Sequence, residues 1–159
     1  MTEAGEAKSW ILTGSVENFR INVERGFDLI GFKQRRRNQA ELFEPGDEVF
    51  FYLTGVQAFG GAARVRSEMF EDRDPIWPQG KKKHPEPYPW RVEAEPLIVL
   101  AEEDFVPAEE LVDALEHAGK WPREHWHLAF QGQLRTIGDA DAELLRGRLR
   151  SAARSGVPG

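Results

Sequence analysis

The sequence of 159 residues contains no cysteine. Without a thiol the chain cannot form a disulfide, a thiolate zinc site or an iron–sulfur cluster, and it has no cysteine nucleophile. A chain of this length buries roughly 68–70% of the surface that its unfolded form exposes. We therefore expect one globular domain that is stable without covalent or metal cross-links, and we expect no cofactor.

Long apolar segments are also scarce. The longest apolar run covers residues 97–101, far short of the ~20 residues that a membrane-spanning helix requires. Residues 1–8 contain no apolar stretch of the kind found in signal peptides. We therefore expect a cytoplasmic protein with a flexible N-terminus over residues 1–8, a domain over residues 9–150 and a C-terminal tail over residues 151–159.

Signature motifs of common enzyme classes are missing as well. Gly60 and Gly61 have neither the third glycine of a dinucleotide-binding loop nor the lysine of a phosphate-binding loop. No G-x-S-x-G nucleophile elbow is present. His125 and His127 form an H-x-H pair, but no acidic residue stands at a recognised ligand spacing, so we expect packing residues rather than a zinc site. The sequence predicts no catalytic residue and no metal site.

Charge is distributed unevenly along the chain. The net charge is −6, from 27 Asp and Glu against 21 Lys and Arg, which argues against nucleic-acid binding through bulk electrostatics. Residues 92–119 contain nine of the acidic residues and no Lys or Arg. Two basic clusters contrast with this acidic block, namely Lys33 with Arg35, Arg36 and Arg37, and Lys81 with Lys82 and Lys83. Such clusters are often solvated surface, and the alternative is contact with phosphate groups.

Apolar patterning predicts roughly five strands and three or four helices. The strand pattern is found at residues 10–14, 27–33, 48–54, 61–69 and 90–100. The helix pattern is found at residues 18–25, capped by Ser15, and at residues 34–43, 107–117 and 139–154. The order lacks βαβ alternation, so we expect an α+β domain built on a small, mainly antiparallel β-barrel into which all five strands close.

Residues 71–89 differ from the rest of the chain because they hold five of the ten prolines and show no periodic pattern. Loops of this length in compact domains tend to be functional or disordered, and Trp77 and Tyr88 favour a functional loop. Prolines on both sides of Trp77 fix its backbone and hold the indole at a low entropic cost. A preordered ring of this kind suits base stacking or a cation–π contact. The alternative for Trp77, and for Trp90 and Trp126, is burial in the core.

Short strings along the chain resemble one known family. They are W-I-L-T from Trp10, E-N-F from Glu17, P-G-D from Pro45, F-Y-L-T-G from Phe51, F-E-D-R-D-P-I-W-P from Phe70, Y-P-W-R-V from Tyr88 and H-L-A-F-Q-G-Q-L-R from His127. In order and spacing they resemble the stand-alone prokaryotic EVE-domain proteins over residues 9–148. The resemblance implies a PUA-like fold, a small β-barrel with flanking helices, related to the YTH domains that read methylated adenine in RNA. It also implies recognition of a modified base, so we expect modified DNA or RNA as the partner.

The resemblance further implies a base pocket with aromatic walls. Its lining would come from the segment after the first strand, the second strand and the aromatic loop, and comprises Ser15, Asn18, Phe19, Ile30, Gly31, Phe32, Trp77, Tyr88 and Trp90. We expect Trp77 and Trp90 to lie in one concave site that reaches Asn18. Many relatives have Trp where this chain has Ile30, and Phe32, on the same face of the strand, is the candidate for the missing ring.

Residue chemistry assigns roles within such a pocket. The Asn18 amide offers both a donor and an acceptor to the edge of a base. Each base–aromatic stack contributes ~1–3 kcal/mol, which offsets the few kcal/mol needed to extract a base from its stack. The flanking phosphates would be contacted by Arg35, Arg36, Arg37 and Lys81.

Two other functions stay open. Gly31-x-Lys33 resembles the start of the G-x-K-x-x-E-x-R motif of ASCH-type amidohydrolases, which act on modified nucleosides, but Arg36 stands where the glutamate belongs. The acidic residues 92–119 would instead suit a protein-interaction module.

Overall fold

The computed structural model describes residues 7–74, 76, 88–130 and 134–155. One sheet of eight strands organises the fold. The strands are β1 (Ser9–Gly14), β2 (Leu29–Phe32), β3 (Glu48–Leu53), β4 (Ala58–Val65), β5 (Phe70–Glu71), β6 (Trp90–Val99), β7 (Val106–Pro107) and β8 (Leu134–Ile137). The α-helices are α1 (Val16–Glu24), α2 (Arg37–Ala40) and α3 (Asp139–Ser155). Short 3-10 helices cover Gln34–Arg36, Glu102–Asp104, Ala108–Glu110, Ala118–Lys120 and Arg123–Ala129.

The strand order is β2-β6-β4-β3-β1-β8, with β5 paired to β6 and β7 to β4. β1 runs parallel to β3, and the other pairings among the described strands are antiparallel. The sheet curls into a half-barrel, which confirms the predicted α+β class, and all five predicted strands belong to it. No pairing joins β2 to β8 in the described residues, so the sheet keeps an open seam where we had expected a closed barrel.

The helical segment after β2 spans part of this seam. The Gln39 side chain in α2 donates from Nε2 to the main-chain oxygen of Leu134 at the start of β8, at 2.9 Å. The Arg36 guanidinium donates in turn to Gln39 Oε1 at 2.9 Å. In place of the predicted helix over residues 34–43, the structure has a 3-10 turn followed by α2. Through the Gln39 hydrogen bond to Leu134, this segment links the two ends of the sheet.

Both faces of the sheet are buried in apolar clusters. Along β3, Phe50 and Tyr52 belong to one cluster, whereas Val49, Phe51 and Leu53 belong to the other. Successive side chains of a strand point to opposite faces, so this alternation identifies β3 as a central strand. Residues Ala142, Leu145 and Leu149 of α3 cover the first cluster at helical spacing. The second cluster contains Phe19 of α1 and Ile30 and Phe32 of β2, which border the site described below.

The helix predicted over residues 107–117 was wrong. A 3-10 turn at Ala108–Glu110 is followed by irregular turns, although Leu111, Val112 and Leu115 are buried. The Asp141 carboxylate, at the start of α3, accepts the main-chain N–H groups of Glu116 and His117 at 2.8 and 2.9 Å. These tertiary hydrogen bonds replace the donors' helical partners, so packing against α3 overrides the local helix pattern.

Two further observations concern metal binding by the H-x-H pair and the presence of a membrane-spanning helix. His125 and His127 lie in a 3-10 helix, and the described residues contain no group of three His, Asp or Glu side chains able to hold a metal ion. Among those same residues, no helix combines the length and the apolar character needed to cross a bilayer.

Candidate functional site

A cavity of about 330 Å³ opens beside the seam, between β2 at one end of the sheet and β1 next to the other end. Its wall combines apolar, amide and cationic side chains from five segments of the chain. The lining residues are Leu12, Thr13, Gly14, Ser15, Asn18, Phe19, Asn22, Ile30, Gly31, Phe32, Lys33, Arg35, Arg36, Phe51, Leu53, Thr54 and Tyr88. The volume lies at the lower end of the range for small-molecule sites.

The turn from β1 into α1 places two amides on the wall. Ser15 has extended backbone angles, and its Oγ accepts the Asn18 main-chain N–H at 3.0 Å, which is a helix N-cap. Asn18 and Asn22 are four residues apart and therefore share one face of α1. That face borders the cavity, so the cap predicted from the sequence fixes where the amides lie.

Among the described residues, the Asn18 side-chain amide is hydrogen-bonded through its nitrogen and not through its oxygen. Its Nδ2 donates to the Tyr88 hydroxyl at 3.1 Å. Its Oδ1 is buried and has no hydrogen-bond partner among the described residues. A buried polar atom left without a partner destabilises a fold by about 1–3 kcal/mol. The Asn18 oxygen is thus an acceptor that a donor on a ligand would satisfy.

Tyr88 is positioned by Arg91, a residue whose role the sequence did not reveal. Arg91 is fully buried, and its Nε donates to the Tyr88 main-chain oxygen at 3.0 Å. A second nitrogen donates to the Asp74 main-chain oxygen, and a third pairs with the Asp72 carboxylate at 3.3 Å. Burial lowers the pKa of Arg91, and the charges of Asp72 and Asp74 act in the opposite direction. Arg91 therefore fixes the chain on both sides of residues 75–87.

The cavity wall is cationic although the protein is acidic overall. Lys33, Arg35 and Arg36 line it, and no Asp or Glu is found in the described part of the lining. The Lys33 ammonium lies 5.9 Å from the centre of the Tyr88 ring. Burial, followed by the charge of Arg35, lowers the pKa of Arg36. An anionic group at this rim would therefore meet positive charge.

The apolar part of the wall consists of rings that other rings hold in place. Phe19 makes edge contacts with Phe27, Phe51 and Phe105 at centroid distances of 5.2, 5.9 and 5.6 Å. Phe32, the candidate for the missing cage ring, is tilted against Phe43 at 5.0 Å and is buried. These rings belong to the packed core, so the wall is formed before any ligand arrives.

The structure brings most of the predicted pocket residues together. Seven of the nine line the cavity, namely Ser15, Asn18, Phe19, Ile30, Gly31, Phe32 and Tyr88. Trp90 does not line it: the residue is 8% exposed and packs in the second cluster. Trp77 and Lys81 lie outside the described residues. We expected Trp77 and Trp90 to share one site with Asn18. For Trp90 this expectation fails, because Trp90 does not line the cavity.

The predicted phosphate contacts divide in the same way. Arg35 and Arg36 line the cavity, whereas Arg37 does not. The Arg37 guanidinium lies 5.0 Å from the Trp90 ring centre and pairs with Glu41 at 3.2 Å. Asn22 and Lys33 line the cavity although they were not among the predicted site residues. The helical spacing from Asn18 would have found Asn22.

The family model for the EVE domain matches residues 8–145 of the chain. This chain belongs to the EVE-domain family. The identification made from short sequence strings is therefore confirmed. No curated protein matches the chain in sequence.

Several solved structures are similar to this EVE domain. The YTH domain of Zygosaccharomyces rouxii MRB1, in complex with N6-methyladenosine RNA, is 15% identical with a TM-score of 0.62, over 93% of this chain and 90% of that chain. Human THYN1, in complex with DNA containing 5-methylcytosine, is 14% identical with a TM-score of 0.54, over 96% of this chain and 100% of that chain. A Pseudomonas putida protein is 12% identical with a TM-score of 0.58, over 88% of this chain and 98% of that chain. At these identities the likeness shows the fold, and it confirms the PUA-like architecture.

The acidic block of this EVE domain is largely paired with cations. Five of its nine acidic side chains form ion pairs within the described residues, which are Glu95 with Arg64 and Arg66, Glu102 with Arg20, Glu109 and Asp113 with Arg123, and Glu110 with Arg148. These acidic residues pair with several different arginines, so they do not form one continuous acidic surface. The arrangement gives no support to a docking function for residues 92–119.

Proposed function

We propose that this EVE domain binds nucleic acid and encloses a single modified base in the cavity. The observation that carries the proposal is the buried Asn18 Oδ1, an acceptor without a partner among the described residues, on the wall of a preformed cavity that is partly apolar. Recognition of one base requires its removal from the stack, apolar faces to hold it and polar groups to read its edge. The rings described above supply the apolar faces, and the Asn18 amide supplies a polar group for the edge.

The charge of the rim supports the same proposal. A base in the cavity remains attached to its backbone phosphates, and these would lie at the mouth. Lys33, Arg35 and Arg36 are the cations found there. Phosphate contacts of this kind orient the strand without reading sequence. Three cations among the described residues line the site and the protein is acidic overall, so selectivity is expected to come from the base rather than from charge.

The ligands of the structural neighbours also support it. The MRB1 YTH domain holds N6-methyladenosine RNA, and THYN1 holds DNA with 5-methylcytosine. Both ligands are modified bases, although the bases and the polymers differ. We therefore propose a modified base in general and include both modifications in the test.

We propose binding without catalysis. No His, Asp or Glu lines the cavity among the described residues, so neither Ser15 nor a threonine of the wall has a general base beside it. Lys33 does line the cavity, but Arg36 replaces the glutamate of the amidohydrolase motif. The hydrolase alternative therefore lacks its acidic group.

The test is a fluorescence titration of single-stranded oligonucleotides that carry one N6-methyladenosine, one 5-methylcytosine or no modification. The wild type should prefer one modified strand. Asn18→Ala should reduce that preference roughly 5- to 150-fold, because the ligand donor loses a buried partner worth about 1–3 kcal/mol. Asn38→Ala is the matched control, since Asn38 is exposed and outside the cavity. Equal binding of all strands by the wild type would contradict the proposal.

A further inference from the structure

The segment that crosses the seam between β2 and β8 has one inward face. Arg36, Gln39 and Phe43 are spaced three and four residues apart, so they share one side of the helical turns that carry them. All three are buried or half-buried, whereas residues 37–38 and 41–42 between them are exposed. The segment therefore directs these three side chains toward the seam.

Phe43 closes part of the seam through apolar contacts. Its ring stacks on Trp10 of β1 with the ring centres 4.1 Å apart, and it lies 5.0 Å from the ring centre of Phe32 on β2. One buried ring thus contacts a strand on each side of the seam. Phe43 does not line the cavity, so this part of the seam is packed core.

Gln39 makes a polar contact across the seam. Its Nε2 donates to the Leu134 main-chain oxygen on the edge strand β8, and its Oε1 accepts the Arg36 guanidinium, both at 2.9 Å. A carbonyl only accepts and a guanidinium only donates, so these two partners determine the orientation of the amide. A glutamate would offer no donor to the carbonyl, and a methionine would offer no donor and only a weak acceptor. The position therefore suits an amide.

Arg36 connects this contact to the candidate site. Arg36 lines the cavity, whereas Gln39 does not, and β8 contributes no residue to the described part of the lining. A guanidinium contacts phosphate best through two N–H groups in one plane, so the orientation of that plane decides whether both reach the ligand. The hydrogen bond to Gln39 restrains this orientation. The same amide ties β8 to a cation on the cavity wall.

We infer that Gln39 is a positioning residue, which holds the Arg36 guanidinium for a phosphate of the bound strand and couples that contact to closure of the seam. The inference rests on the proposed function, because it assumes a nucleic acid whose base lies in the cavity. A phosphate that immobilises Arg36 removes side-chain entropy that the bond to Gln39 otherwise costs, so the ligand favours the closed seam. Linkage is reciprocal, so the closed seam favours the ligand by the same factor.

The salt dependence of binding tests this role in Gln39→Met, which keeps the length of the side chain and loses both hydrogen bonds. The preferred modified oligonucleotide of the titration above should bind this variant roughly 2- to 12-fold more weakly than wild type. The slope of log Kd against log salt concentration should decrease by roughly 0.7, the value for one phosphate contact to a single strand. Gln34→Met is the matched control and should match wild type, since Gln34 is exposed in the same segment and outside the cavity.

The slope separates positioning from a purely structural role. A structural role would lower the melting temperature of Gln39→Met and leave the slope unchanged, and that result would overturn the inference. If the wild type prefers one modified strand and Gln39→Met binds it with the same affinity and slope, the inference fails while the proposed function stands. Absence of any preference in the wild type would contradict the proposed function, and this inference with it.

Amide hydrogen exchange of β8 provides a second measurement, and its first step needs no variant. β8 pairs only with β1 among the described strands, so its amide protons exchange through local opening of the sheet edge. Saturation of the wild type with the same oligonucleotide should slow exchange over Leu134–Ile137 by the same 2- to 12-fold, roughly, because the coupling is reciprocal. Unchanged exchange there would refute the inference even if Gln39→Met does not fold. Gln39→Met should lose this slowing and Gln34→Met should keep it. Slowing that persists in Gln39→Met would mean that the ligand acts through β1, which also contradicts the inference.

Discussion

Replacing Arg91 by lysine should weaken base binding, although Arg91 does not line the cavity. The guanidinium donates to the main-chain oxygens of Tyr88 and Asp74 and pairs with Asp72 at 3.3 Å. A lysine ammonium is a compact charge on a flexible stem and cannot reproduce this planar fork. Both hydrogen bonds are partly buried and come from a charged donor, so the loss of each should destabilise the fold by about 1.5–3 kcal/mol.

The effect on binding passes through Tyr88. Arg91 holds the main chain of Tyr88, and the Tyr88 hydroxyl accepts the Asn18 amide at 3.1 Å. Once Tyr88 shifts, the Asn18 side chain loses the hydrogen bond that orients it toward the ligand. A neutral hydrogen bond contributes about 0.5–1.5 kcal/mol, or roughly 2- to 12-fold in affinity. Arg91→Lys and Tyr88→Phe should therefore weaken binding of the preferred modified strand by similar factors.

Isothermal titration calorimetry of a double-mutant cycle checks this reasoning. Arg91→Lys should add little to the loss of affinity in a Tyr88→Phe background, because both changes remove the same contact. Arg146→Lys is the control for stability alone: Arg146 pairs with Glu48 in the half-buried contact between α3 and β3, outside the cavity. Its melting temperature should fall without a change in affinity. Fully additive losses for Arg91→Lys and Tyr88→Phe, or unchanged affinity of Arg91→Lys, would refute the reasoning.

Three other predictions follow from single features. Arg35→Gln combined with Arg36→Gln should weaken plain and modified strands alike and flatten the salt dependence of Kd, whereas Arg37→Gln, outside the cavity, should do less. Burial lowers the pKa of His117 below 6.5, so the unfolded chain binds the proton more readily and the melting temperature should fall as the pH drops below that value. His117→Gln, which keeps a donor for the buried carbonyl, should flatten this profile. Gly61→Ala should lower stability by about 1–3 kcal/mol in a denaturant titration, because the new methyl group would overlap a main-chain oxygen of β6.

Local signals were sufficient for the long strands and for the first helix. The apolar run of β3 predicted a buried strand, and the Pro45-Gly46 pair predicted the turn before it, where Gly46 has a φ of +99°. Ser15 predicted the start of α1, and with it the position of Asn18 on the cavity wall. These features depend on residues that are close in sequence, so they could be derived from sequence alone.

Contacts between distant segments could not be derived in this way. The Asp141 carboxylate accepts main-chain N–H groups of the predicted helix over residues 107–117, although Asp141 lies some 25 residues further along the chain. Arg37 covers the Trp90 ring, so a tryptophan assigned to the pocket is instead part of the core. Arg91 gains its role only because the fold brings Asp72 and Tyr88 to it. In each case a charged side chain contacts a partner that is distant in sequence. The local pattern of apolar and polar residues does not indicate such a contact.

The cavity and the open seam are one feature of the half-barrel. An edge strand leaves half of its main-chain polar groups unpaired, and proteins usually cover or charge such an edge. Here Gln39 bonds to Leu134 across part of the seam, and the cavity occupies the part beside β2. The group that a base would satisfy, the Asn18 side-chain oxygen, has no hydrogen-bond partner among the described residues. The incomplete closure of the sheet thus leaves space for the cavity between β1 and β2, and the Ser15 cap of α1 places the unpaired acceptor of Asn18 on its wall.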